Sequence, residues 1–472
     1  MNVNRLSPIT GLLALGLALA GCAAPPPAVF SPPELPGRWR GAIAAEAEEI
    51  HRDWWNGFGS AELSALVERA QAQSLDVAAA VARMRQAEAL ERIAGAALLP
   101  IVDAGVEAGR DSRPGGNAQT DGKRFGASLS ASYEVDVWGR LSATHDAAQA
   151  ARQASAFDRD AVRLTVTAGV AQAWLQAVAL AERLHLAQRN LETAERILRW
   201  VEARARAGAA SPLELAQQRG QVASQQRVVE GLRQQVDDAR TAIAVLTGST
   251  EEPALVTASL QALTLPALQA GMPSSLLTRR PDIAGAEARL LAADADLHAA
   301  RAAMLPGVAL GAGVGTGGDH LRRLLDNPVY SLAAALAAPI FDGGRLAARR
   351  DLARARREEL LANYRRTIVA AFGDVQTSLN AAAGAQAQAS AQAEELAQAE
   401  RALALAERRY RTGAEMLFML LDAQRTLYAA RDAAVQLRAQ RLQAAIALYK
   451  VLGGGWQRAD AQRGDSLSTA QR

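Results

Sequence analysis

A chain of 472 residues that is 50% hydrophobic yet only 4% aromatic takes more of its apolar count from alanine than from any other residue. Alanine mixed with leucine, glutamate, glutamine and arginine favours long, closely packed helices over a row of ordinary globular domains. The 52 basic and 49 acidic residues nearly cancel, at +3, and no basic patch is interleaved with aromatics, which excludes a nucleic-acid partner.

At the N-terminus, Arg5 precedes an apolar run, Ile9 to Ala20, that is too short to span a bilayer and ends in small residues. That layout is an export signal, residues 1–21. "LAGC", Leu19 to Cys22, resembles the lipobox of bacterial lipoproteins, which implies cleavage before Cys22 and lipidation on it. Ala23 in the next position implies, by the same resemblance, delivery to the outer membrane. Cys22 is the single cysteine, so an internal disulfide framework is excluded. "PPPAVFSPPELPG" reads as extended chain, making residues 22–60 a lipidated N-terminal linker.

From about residue 61 the chain repeats itself at an offset of about 205 residues. "AALLPIVDAGVEAG" from Ala96 matches "AAMLPGVALGAGVG" from Ala302, and "DVWGRL" matches "FDGGRL". "RARAG" matches "RYRTG", and "VLTG" matches "VLGG". The first repeat, about 61–248, predicts a helix to about residue 97 and two strands at about 101–110 and 125–137. In "FGASLSASYEVDV" apolar residues alternate with small or polar ones, the period-two pattern of a strand with two environments. A long helical hairpin follows at about 141–247, turning at Gly208. An inter-repeat linker, 249–280, leads to the second repeat, about 281–454, with strands within 307–341 and a hairpin at about 346–452 that turns at Gly413. Residues 455–472 are a tail. Leu180, Leu184, Ala187, Leu191, Ala194, Leu198 and Val201 follow a 4-3 spacing, and the returning helix continues it from Val229 to Leu246. Such heptads predict coiled-coil helix pairs, brought close by alanine in the seam.

Residues for catalysis are missing from this pattern. His51, His145, His185, His298 and His320 are scattered, and there is no HExxH, CxxC or Walker A loop. "GVGTGG", Gly313 to Gly318, matches a dinucleotide motif only in letters, because it lies within a glycine-rich strand with no clear helix after it. Met416 and Met419 read as packing rather than a soft-metal site. No cofactor, metal or enzymatic activity is expected.

The lipobox, the duplicated strand-pair and long-helix unit, "LLTRRPDI", "PIFDGGR", "LLDAQR" and "LYKVLGGGW" together resemble the TolC-like outer-membrane efflux channels. Within them the chain is similar to the lipoprotein NodT-type branch that serves resistance-nodulation-division pumps. The resemblance implies a mainly α protein with a membrane β-barrel. In this family three identical chains form a 12-stranded barrel continued by a long periplasmic α-helical coiled-coil barrel. Physics supports an oligomer, because four strands cannot close a barrel in lipid without unpaired edges. The implied function is a passive duct for drugs or other small molecules, anchored in outer-membrane lipid, with a periplasmic adaptor and an inner-membrane pump as partners. Arg206, Gly208, Arg411, Thr412 and Gly413 stand at the hairpin tips, where the family docks its adaptor. Phe418 and Asp422 lie one turn apart on the returning helix and correspond to the family's periplasmic gate, although the family typically has leucine at the position of Phe418. Leu213 and Gln217 occupy the equivalent positions of the first repeat, so the charge belongs to the second alone. A type I secretion channel, a periplasmic adaptor and a structural coiled-coil lipoprotein are the alternatives. The cargo is open among drugs, solvents, metal ions and peptides.

Overall fold

The computed structural model describes residues 32–40, 50–111, 122–257, 259–266 and 270–458. The chain divides into two units, Met1–Pro33 and Glu34–Arg472. Of the first, only Pro32 and Pro33 are among the described residues, so the export signal and Cys22 lie outside them. The whole loop after the first strand, residues 112–121, and most of the C-terminal tail also lie outside them.

The second unit is mainly helical. α1 (Ala61–Gln73) and α2 (Leu75–Ala96) stand where the sequence predicts one helix. The break at Ser74 has a packing cause: a Cβ on Gly248 would lie 2.4 Å from the Gln73 carbonyl oxygen, so the chain end of another helix presses there. β1 (Ile101–Asp111) and β2 (Gly122–Val135) lead into α3 (Arg140–Arg206) and α4 (Pro212–Leu246). The same order recurs in α5 (Pro281–Ala302), β3 (Gly307–Gly318), β4 (Pro328–Ala337), α6 (Arg345–Arg411) and α7 (Leu417–Val451). β2 and β4 end earlier than the alternation suggests. Asp136 leaves the ladder to cap α3, and Pro339 has no N–H to extend β4.

α3 and α6 are each 67 residues, about 100 Å of helix. The matched motifs "DVWGRL" and "FDGGRL" start them in the same way. Asp136 accepts from the amides of Leu141 at 2.9 Å and Ser142 at 2.8 Å, and Asp342 from those of Gly344 at 3.0 Å and Leu346 at 2.8 Å. A carboxylate there satisfies orphan N–H groups and faces the positive end of the helix dipole.

α3 packs along α2, α4, α5 and α7, which makes it the spine of the unit. Its middle carries the main core, where Trp174, Leu175 and Val178 meet Trp54, Phe58, Ile243, Leu260 and Ile446. Segments that the sequence reads as linkers therefore supply core residues. Glu62 ties one of them down, accepting from the amides of Val256 at 2.9 Å and Thr257 at 3.0 Å. Burial would raise the Glu62 carboxyl, but hydrogen bonds from Thr257 and these amides outweigh it and hold it below its usual range. A lowered carboxyl contributes stability that is complete above the unfolded value and is lost as pH falls through the folded one. Glu62→Gln is thus expected to unfold more readily than the parent at neutral pH. In acid melts the difference should close as pH falls through that lowered folded value.

"LLTRRPDI" has a physical reading in Arg280. Its guanidinium pairs with Asp282 at 2.7 Å and Asp374 at 3.4 Å and donates to the Val451 carbonyl at 3.1 Å. One side chain thereby joins the start of α5, the middle of α6 and the end of α7. Burial disfavours the charge, yet Asp282 and Asp374 overcome it and raise the Arg280 value. Arg280→Met keeps the apolar stem and removes the donors. Because both carboxylates are partly exposed, the expected loss is about 2 kcal/mol, read as a lower denaturant midpoint with unchanged slope.

Candidate functional site

The four strands form one antiparallel sheet in the order β1-β2-β3-β4. Register decides what each face carries. Val106 pairs with Ala127, Ala127 with Thr316 and Thr316 with Pro328; one step along, Leu129 pairs with Val314 and Val314 with Tyr330. That face is apolar and exposed, with Val106 86%, Tyr330 81% and Leu332 80% accessible. The opposite face carries Gly105, Ser128, Gly315 and Val329 in one row and Asp103, Ser130, Gly313 and Ser331 in another. A sheet with one face suited to hydrocarbon and the other lined by glycine, serine and alanine is built to separate lipid from water. Among the described residues, β1 and β4 each leave an edge without a partner strand. In lipid such edges leave backbone N–H and C=O groups unpaired.

The hairpin turns are local chemistry. After α3, Gly208 at φ 71° sends its amide to Ala205 and Ala209 sends its amide to Arg204. After α6, Gly413 at φ 78° and Ala414 bond to Tyr410 and Arg409 in the same way. Glycine supplies the left-handed conformation that closes both helices. Arg206, Gly208, Arg411, Thr412 and Gly413 are all exposed at these turns.

The two tips are bound to each other by contacts between residues more than 200 positions apart. Arg204 lies 4.8 Å from the Tyr410 ring centre, and Arg411 lies 5.3 Å from that of Trp200. Arg204 also donates to the Tyr410 carbonyl at 3.3 Å. Further along, Arg183 grips Asp432 through two bonds, 2.6 and 3.1 Å, and the Tyr428 hydroxyl donates to the Asn190 carbonyl at 3.1 Å. Burial pushes the Tyr428 phenol up to about 12. Sequence reasoning missed these links. In a chain with so few aromatics, Trp200 and Tyr410 beside tip arginines were the available signal.

Phe418 and Asp422 are both exposed, Phe418 to 62%, while Leu417, Leu420 and Leu421 beneath them are buried. Met416 and Met419, 70% and 45% accessible, widen the apolar patch. Asp422 has no ion pair among the described residues, and Arg409, one conceivable partner, pairs instead with Glu415 at 3.1 Å. The starts of the two returning helices differ. In α4, Ser211 and Glu214 form a reciprocal capping box. In α7, Met416 stands at the cap with no side-chain bond, and the Met419 amide turns back to the Met416 carbonyl at 3.2 Å.

The outer membrane efflux protein family model matches residues 66–249 and 272–454. The chain is 46% identical over 458 residues to the pyoverdine export outer membrane protein OpmQ of Pseudomonas putida, covering 94% of this chain and 97% of that one. It is also 46% identical over 469 residues to OpmQ of Pseudomonas aeruginosa, covering 97% and 98%. Among solved structures, the open state of the Neisseria gonorrhoeae MtrE outer membrane channel superposes with a TM-score of 0.83 at 28% identity, covering 92% of this chain and 98% of that one. An edge-incomplete sheet with one lipid-compatible face, a duplicated helical hairpin unit and these matches have one explanation: the chain belongs to the outer membrane efflux protein family and is an efflux channel of the outer membrane.

Proposed function

We propose that three copies close their free β1 and β4 edges into a 12-stranded barrel, continued by a barrel of helical hairpins that reaches into the periplasm. The observation that carries this reading is the two-faced sheet with two unpaired edges. Three copies of four strands fall within the range of membrane barrels, and the small residues of one face leave the bore open. Acylation of Cys22 anchors each copy to outer-membrane lipid. The tips around Arg206, Gly208, Arg411, Thr412 and Gly413 dock the hairpins of a periplasmic adaptor, which links the duct to an inner-membrane pump of the resistance-nodulation-division type. Phe418 and Asp422, three of each around the axis, form the periplasmic gate.

The 46% identity to two pyoverdine export proteins over nearly the full length supports pyoverdine-like cargo. Expression in a Pseudomonas putida strain lacking OpmQ tests this. Pyoverdine is expected to return to the medium, and retention of pyoverdine in cells that carry inserted protein would contradict the cargo assignment.

A further inference from the structure

Among the charged residues of the glycine and serine face whose side chains are described, all but Asp103 have a partner. Glu134 binds Arg140 through two bonds, 3.1 and 2.7 Å. Glu107 lies 3.5 Å from Arg124, and Gly126 makes room for its side chain, since a Cβ there would lie 2.9 Å from Glu107 Cγ. Asp103 differs. It is exposed, has no ion pair among the described residues, and shares its row with Ser130, Gly313 and Ser331, none large enough to cover it.

We propose that Asp103, once per copy, makes the outer-membrane section of the channel select small cations over anions. This rests on the reading that three copies close a barrel with the glycine and serine face inward. Twelve strands spaced about 4.8 Å apart and tilted about 40° close on a radius of about 12 Å. A carboxylate reaching inward from that wall stands about one Debye length, roughly 8–10 Å, from the axis at moderate salt. The wall is one sheet thick with hydrocarbon behind it, so the field is directed into the water of the bore. Three uncompensated carboxylates at one level raise the local cation concentration and lower that of anions. Glu107 adds little, because Arg124 offsets it. Asp103 is separated from Asp422 by the length of the long hairpins but lies in series with it, so channels are compared with Phe418 and Asp422 both replaced by alanine, which removes the narrower charged level.

The test is the reversal potential of single channels across a potassium chloride gradient. Asp103→Asn is expected to lower the cation-to-anion permeability ratio about threefold or more at low salt, with conductance steps still present. An unchanged ratio in Asp103→Asn channels overturns the proposal. Asp103→Cys in a Cys22→Ser background covers the case in which Asp103→Asn assembles poorly. There, a sulfonate-bearing thiol reagent added to inserted channels should restore cation preference, and an ammonium-bearing one should shift preference to anions. Ala104→Cys, on the apolar face, should respond to neither. If Ala104→Cys responds and Asp103→Cys does not, the face assignment falls. If no variant forms channels while the parent does not either, the closed barrel itself falls.

Discussion

Replacing Phe418 and Asp422 together by alanine is expected to raise single-channel conductance several-fold and to admit large antibiotics, with no change in expression. The two side chains stand on one exposed face of α7 above a buried layer of Leu417, Leu420 and Leu421, so their removal leaves the packing intact. Surface changes of this kind cost within about 0.5 kcal/mol. Around a three-fold axis, exposed phenylalanines beside a ring of carboxylates give an apolar constriction that resists wetting, followed by a charged collar. Several features leave this end of α7 free to move. Its first turn has no capping side chain, and Gln424 is fully buried with neither amide atom hydrogen-bonded, which costs the packed arrangement about 1–3 kcal/mol. Against this, Asp432 and Tyr428 hold α7 to α3. Unchanged conductance in a correctly inserted double variant would remove Phe418 and Asp422 from the gate.

Gly413→Trp is expected to abolish efflux while the amount of assembled channel stays at the parental level. Any side chain at φ 78° strains the turn by about 1–2 kcal/mol, a small cost for helices this long. A Cβ on Gly413 meets nothing within 4 Å, so tryptophan fits the channel but obstructs whatever docks on the tip. Gly413→Ala carries the same backbone strain without the bulk and should keep efflux. Equal loss in both variants, or falling yield in step with efflux, would mean that Gly413 serves only the turn.

The order of elements was legible because each rests on local periodicity. Alternation in "FGASLSASYEVDV" marks β2, and the 4-3 spacing from Leu180 to Val201 marks the α3 seam, where Leu180, Ala187, Ala194 and Val201 are buried. The positions of Phe418 and Asp422 on one helix face follow from their spacing alone. What sequence could not supply depends on distant partners. The break at Ser74 exists because Gly248 packs against it, and Trp54 and Leu260 are core residues because both pack into the cluster built on α3. The Arg204–Tyr410 and Arg183–Asp432 links join the two repeats, and no period within either repeat encodes them. Register, too, needed the paired sheet, since only pairing shows that Asp103 shares a row with Ser130 and Ser331.

The account stands on three copies forming one continuous duct, and the most direct measurement pairs particle mass with conductance for the same detergent-extracted preparation. A mass of three chains after correction for bound detergent, together with stepwise conductance when those particles are reconstituted into a planar bilayer, is the expected result. A monomeric mass, or a three-chain particle that inserts and conducts no ions in any variant of Phe418 and Asp422, would contradict it.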